Sequence, residues 1–404
     1  MIESLNRNFK LAAAILCSGA MLALSACGSG PNKDSSDAIV VRISAPLSGQ
    51  SAAYGQLAKG FEAYLKNINA TGGVAGKKFD IKAFDNGESP DGGASTMLSI
   101  LGDQPDLALV VGTTPVNASL KIVKAKQAKL PIFGFVNPRV IEASGVKNAY
   151  GMYPNYLNEC YMDSKYLVEQ YEAKNIAIVY EDDPVGQDAG KNCPAYGRAL
   201  GAKVTAIPVS ATTTDFNSIA ASIKASGAKF VQVVAISPLM VKLQKAAERI
   251  GYKGQWMTFS SATYDSYIKL AGTSAEGTLI SNWLTPLDEA TEATKQFHAD
   301  LSKYEPDSET YLGAAGWTLG AVVTKVLKES IAANDGAVPS SAKLNAAISS
   351  LDAPDGLGLS EVPLSYKDHA SSPFSTLSIL QIESGKLKRV HDPLPIPSGL
   401  PNGS

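Results

Sequence analysis

Histidine, cysteine and unbalanced charge are all scarce in this 404-residue chain, and each shortage excludes a class of function. There are three histidines. His391 lies in a proline-rich tail, His298 on a polar helix and His369 in a loop. All three read as surface residues, which leaves little for general-base chemistry. Of the four cysteines, no two show Cys-x-x-Cys spacing, so no metal site is expected, and no cofactor motif is present. The net charge is −2. It becomes −3 without residues 1–26, which carry Glu3, Arg7 and Lys10. Near-neutrality of this kind gives no clustered positive charge with which to hold nucleic acid. Past residue 26 no run is apolar enough to span a membrane.

What the sequence does have begins at its N-terminus. Arg7 and Lys10 precede an uncharged apolar stretch, residues 11–24, which would rise about 21 Å as a helix. That falls short of a hydrocarbon core of about 30 Å, so the segment reads as a cleaved export signal rather than a spanning helix. It ends in Leu24-Ser25-Ala26-Cys27, which resembles the bacterial lipobox. The resemblance implies cleavage before Cys27, a lipid on that residue and attachment to a membrane on its extracytoplasmic face. Residues 27–37 hold almost nothing to bury and read as a tether. Cys160 and Cys193 are then left over. In an oxidising compartment they are expected to pair, the alternative being two separate buried thiols.

The roughly 380 remaining residues suit two domains. Strand candidates at 39–45, 79–84, 107–111 and 131–136 alternate with helical patterns at 60–68 and 120–129. A second series of strands, 175–180, 203–209, 229–236 and 255–259, alternates with helical patterns at 162–172, 219–225 and 240–250. Continuous apolar strands joined by helices imply parallel sheets covered on both faces. The fold expected is therefore α/β, with two doubly wound parallel-sheet lobes. A further strand at 278–283, helices at 292–303 and 311–331, and strands at 359–366 and 376–382 follow. The tail from Asp392 holds Pro393, Pro395, Pro397 and Pro401 and is expected to be extended or disordered.

Open parallel sheets bind ligands beyond the carboxyl ends of their strands. Three such ends run into a polar residue and a proline: Thr113-Thr114-Pro115, Asn137-Pro138 and Ser237-Pro238. Each is expected to cap a helix, with proline at its first position and free N–H groups facing a cleft.

The stretch Val40–Gly55, with its Pro-Leu-Ser-Gly turn and Tyr54-Gly55, and the run Ile68-Asn69-Ala70-Thr71-Gly72-Gly73-Val74-Ala75-Gly76-Lys77 are similar to the leucine/isoleucine/valine-binding protein family. These are the type I periplasmic binding proteins of ABC importers. The likeness continues in order over residues 39–390. It implies a three-crossover hinge near 154–157, 281–286 and 365–373. Lobe 1 would then be 38–154 plus 287–365, and lobe 2 158–280 plus 374–391, with 392–404 a tail. The partners it implies are a small-molecule ligand and an ABC permease of the branched-chain amino acid type, served by a monomer.

By the same resemblance, Gln50, Ser51 and Tyr54 lie near the ligand side chain. Thr114, Pro115, Val116 and Asn117 would hold a ligand carboxylate, with Phe135, Val136 and Asn137 beside them. Val185, Ser237, Ser261 and Tyr264 would close over the ligand from lobe 2. The family's acidic partners for a ligand ammonium fall here at Ser260 or Ser261 and at Asn158. A buried ammonium without a carboxylate is costly. The departure thus favours a carboxylate, amide or aromatic solute over a standard α-amino acid. Glu159, Glu181, Asp182 and Asp188 lie close enough in sequence to substitute, which keeps an amino acid open.

Other readings are weaker. Gly49-Gln50-Ser51-Ala52-Ala53 lacks the last glycine of a nucleophile elbow, and Gly73–Lys78 lacks Walker spacing, so no enzyme is expected. A lipoprotein that senses a ligand for a membrane receptor is the alternative to transport.

Overall fold

The computed structural model describes residues 38–400, apart from 50, 183–185, 211, 236, 261–264, 368–370 and 398–399. The segment read as export signal and tether, Cys27 included, lies outside the described residues.

The first series of strands and helices runs β1 (Ile39–Ala45), α1 (Gly55–Ala70), β2 (Phe79–Asp85), α2 (Pro90–Gly102), β3 (Leu107–Val111), α3 (Thr113–Lys126), β4 (Ile132–Phe135), α4 (Pro138–Ser144) and β5 (Ala149–Gly151). All strand pairs are parallel, in the order β2-β1-β3-β4-β5. β3 and β4 are apolar throughout because both faces are covered, and every residue of both is buried. Arg42, the one charge in β1, is tolerated because it donates to Asp80 and Asp103.

The second series runs α5 (Tyr156–Tyr171), β6 (Asn175–Glu181), α6 (Gly186–Ala199), β7 (Lys203–Val209), α7 (Phe216–Ala225), β8 (Phe230–Val234), α8 (Ser237–Arg249), β9 (Gln255–Thr258), α9 (Asp265–Ala271) and β10 (Leu279–Asn282). The chain then adds α10 (Glu292–Tyr304), α11 (Tyr311–Ala332), α12 (Ser341–Ser349), β11 (Asp352–Ala353), β12 (Leu364–Ser365), β13 (Thr376–Glu383) and β14 (Lys386–Pro395). The second sheet has the order β14-β13-β10-β9-β8-β6-β7. It is parallel from β7 to β10, but β13 and β14 join antiparallel, as a hairpin. Ser384 and Gly385 at its tip have φ of 54 and 73, the left-handed pair that a tight hairpin turn requires.

Two expectations change. Of the strand read at 359–366, only Leu364 and Ser365 are strand. The stretch before them bends at Gly356 and Gly358, and Leu359 N–H donates to Thr318 Oγ1 of α11. The proline-rich tail opens as strand, because β14 pairs through Pro395 with Thr376.

Three chain crossings connect the lobes, after β5, after β10 and between β12 and β13, and they contact one another. Gly151 N–H donates to Ser371 O at 2.9 Å, Tyr366 Oη donates to Gly151 O at 2.6 Å, and the Trp283 and Phe374 rings lie 4.7 Å apart. The second crossing returns α10 and α11 to the first lobe, where α11 packs on α1 through a seam of glycines. A Cβ on Gly60 would fall 2.0 Å from Gly313 O, and one on Gly316 would fall 1.8 Å from Leu57 O. In the second lobe, a disulfide between Cys160 and Cys193 ties α5 to α6.

Candidate functional site

The strands of both sheets end at the same gap, and side chains from the two lobes meet there. Arg139, at the start of α4, forms an ion pair with Asp188 of α6 at 2.5 Å. Thr113, Asn117, Asn137 and Arg139 from the first lobe and Asp188 from the second line one cavity of about 520 Å³. Tyr54 is half-buried. Burial, and then the charges of Glu88 on the first lobe and Glu181 at the end of β6, hold its phenol above the usual range.

The helix starts differ from one another. At Asn137 the expected cap is present: its side chain accepts from Arg139 N–H, and Pro138 takes the first helical position. The other cap is displaced. Gly112, at φ 105, turns the chain, so α3 begins at Thr113 and no side chain caps it. Thr114 and Pro115 therefore lie one and two residues inside the helix. Proline is tolerated there because N–H groups of the first turn have no intrahelical acceptor. α8 begins at Ser237, with Pro238 second.

The floor of the gap is aromatic. The rings of Phe135 and Tyr153 lie 5.1 Å apart, those of Tyr153 and Tyr156 5.6 Å, and those of Tyr156 and Phe259 5.0 Å. This row passes from β4 through the first crossing to the end of β9. Ser260 joins it, donating from Oγ to Tyr153 Oη at 2.7 Å. Its N–H donates to Glu159 Oε1 at 2.9 Å. Glu159 is fully buried, and burial pushes its carboxyl up to about 8, with Ser260 and Ser281 offsetting only part. One turn along α5, Asp163 is held well above the ordinary range by burial and by Glu159.

The predicted site residues divide accordingly. Tyr54, Asn117 and Asn137 lie at the gap, and Phe135 forms part of its floor. Thr114 is exposed at the start of α3, and Ser51 is half-buried just before Tyr54. Pro115 packs its backbone against Gly93, while Val116 and Val136 belong to the apolar core between α2, α3 and the sheet, so these three face inward. Asn158 is half-buried on α5, and it is its neighbour Glu159 that stands beneath Ser260. Gln50, Val185, Ser261 and Tyr264 lie outside the described residues. Sequence reasoning missed Glu88. The rule that ligands sit at strand ends applied to the loop after β2 as much as to the others, and Asp85-Asn86-Gly87-Glu88 was its signal.

Comparison with known proteins agrees with this architecture. The sequence profile of a family described as "Periplasmic binding protein" matches residues 39–386. The Leu/Ile/Val-binding protein homolog 2 of Brucella abortus (strain 2308) is 25% identical over 307 residues, covering 75% of this chain and 81% of that protein. A branched-chain amino acid ABC transporter structure from Thermus thermophilus with bound valine superposes with a TM-score of 0.76 at 17% identity, covering 90% of this chain and 97% of the other. A solute-binding protein of an ABC transporter from R. palustris in complex with benzoate gives a TM-score of 0.71 at 16% identity, with 88% and 96% covered. By profile and by fold, the chain belongs to the periplasmic binding protein family, type I in architecture and related to the Leu/Ile/Val-binding proteins.

Proposed function

We propose that this chain is the extracytoplasmic substrate-binding lipoprotein of an ABC importer, capturing one small organic solute between its lobes as the hinge closes. The observation that carries the reading is the meeting of the two lobes' strand ends: Arg139 with Asp188, and Tyr54 within reach of both Glu88 and Glu181. Such a gap, bridged by three short crossings, has the form of a domain-closure device. Ligand affinity then reflects contacts that exist only in the closed form, which the permease recognises. The relatives' names point to amino acids, and one solved neighbour holds benzoate. The solute class is accordingly a carboxylate, amide, aromatic or amino acid compound. The protein acts as a monomer, tethered through Cys27.

A thermal-shift screen of residues 28–404 against amino acids, aromatic carboxylates, short amides and polyamines tests this. A solute at a hundred times its Kd stabilises the native state by about 2.7 kcal/mol. The Thr114→Ala, Asn137→Ala double variant is expected to fold yet lose that shift. Unchanged calorimetric affinity in the double variant would show that the solute does not touch this edge. Anchoring is tested separately. Cys27→Ser is expected to move the protein from the membrane fraction to the soluble one, and continued membrane association would refute a lipid at that residue.

A further inference from the structure

The start of α3 is a ready anion site. The first N–H groups of this 14-residue helix lack intrahelical acceptors and carry its positive dipole end. The chain itself already fills it. Glu88 leaves the loop after β2 with φ 53, a conformation uncommon for a residue with a side chain, and its carboxylate accepts the Thr114 N–H. Gly112 clears the room: at φ 105 it has no side chain, and a Cβ there would lie 2.0 Å from Glu88 Oε2. That oxygen is buried and has no hydrogen-bond partner among the described residues. Glu181 adds a second carboxylate from the opposite lobe, close enough to act on Tyr54 together with Glu88. The guanidinium at the rim, Arg139, is engaged by Asp188. Glu88 Oε2 is therefore left at the gap as an acceptor without a donor among the described residues.

Resting on the solute-binding reading above, we propose that Glu88 determines the specificity of the cleft and selects an organic amine or amidinium that presents N–H groups and carries no carboxylate at that end. A buried carboxylate oxygen without a donor is costly, and a cationic N–H removes the cost with a charge-assisted hydrogen bond. A ligand carboxylate placed there would find the helix N–H already donated and would stand against Glu88 at short range in a medium of low dielectric.

Matched pairs of probes separate the two chemistries: benzylamine and benzamidine against benzoate, and leucinamide against leucine and 4-methylpentanoate. Thermal shifts, followed by calorimetry on any hit, are measured on the wild type and on Glu88→Gln. Cationic members are expected to raise the wild-type Tm and to bind at least tenfold more weakly to Glu88→Gln, while carboxylates gain relative to them in the variant. Because the comparison is a ranking within each protein, a modest loss of stability in the variant does not affect it. Benzoate or 4-methylpentanoate shifting the wild type as strongly as its cationic partner overturns the inference and leaves solute binding standing. So does a ranking unaltered by Glu88→Gln, or a wild type that ignores every cation. The solute-binding reading falls separately, when the broad screen also finds no stabilising compound.

Discussion

Replacing Glu159 with glutamine is expected to remove much of a decline in stability that the wild type shows between about pH 4.5 and pH 8. Glu159 is fully buried, and its carboxyl is pushed up to about 8 from an ordinary 4.5. Because the folded value lies above the unfolded one, the native state holds a proton that the unfolded chain releases across this window. Stability from the protonated group is therefore complete below about pH 4.5 and is lost as pH rises through about 8. At about 1.4 kcal/mol per pKa unit, the difference amounts to something on the order of 4–5 kcal/mol by pH 8.5. Glutamine keeps an oxygen to accept the Ser260 N–H and never charges. The variant should thus match the wild type near pH 5 and exceed it at pH 8.5. Asp163 is also raised, partly by Glu159, so some slope remains, and adding Asp163→Asn should reduce it further. Urea midpoints measured from pH 5 to pH 9 decide the matter. Parallel curves for wild type and variant would mean that Glu159 ionises as freely in the folded protein as in the unfolded one.

The second large effect belongs to the seam between α1 and α11. Gly316→Val is expected to cost 3 kcal/mol or more (about the upper end of the usual overpacking range), because the atom in its way is a backbone carbonyl. A Cβ at Gly316 would lie 1.8 Å from Leu57 O and 2.9 Å from Phe61 N, and one at Gly320 would lie 2.6 Å from Tyr64 Cβ. A side chain in the way can rotate aside, whereas a helix backbone moves only by separating the two helices. That separation would open the core that α11 closes over the first lobe, where Trp317 meets Tyr64 edge-on at 4.8 Å. Glycine inside a helix is itself unfavourable by about 1 kcal/mol against alanine, so three of them along α11 need such a reason. Gly102 is the control: at the end of α2 nothing lies within 4 Å of its would-be Cβ, and Gly102→Ala should be neutral or slightly stabilising. Chemical denaturation of the two variants compares them directly. Similar midpoints would show that α1 and α11 can move apart at little cost.

Much of the architecture was legible in the residues. The run that became β3 is apolar from end to end, and those that became β1, β6 and β8 hold only one or two polar residues each, because both sheet faces are covered, and such runs announce parallel strands. Asn137-Pro138 announced a helix start because capping is a matter of adjacent residues. Elements poor in helix formers were missed: α2 begins Pro-Asp-Gly-Gly, and α6 holds two interior glycines and Pro194, so tertiary packing decides their helicity rather than propensity.

What the residues determined by themselves is therefore local: strand and helix periodicity, the polar ends of the strands, the fold class and the family it belongs to. The tertiary structure alone decided which of those ends meet. It set Glu88 over Gly112, brought Arg139 to Asp188, sank Glu159 beneath Ser260 across 101 residues, and laid α11 on α1. The reason is physical. Periodicity and capping are fixed within a turn or two of chain, whereas the charge state of a carboxyl and the partner of a helix face depend on what distant segments exclude water from them.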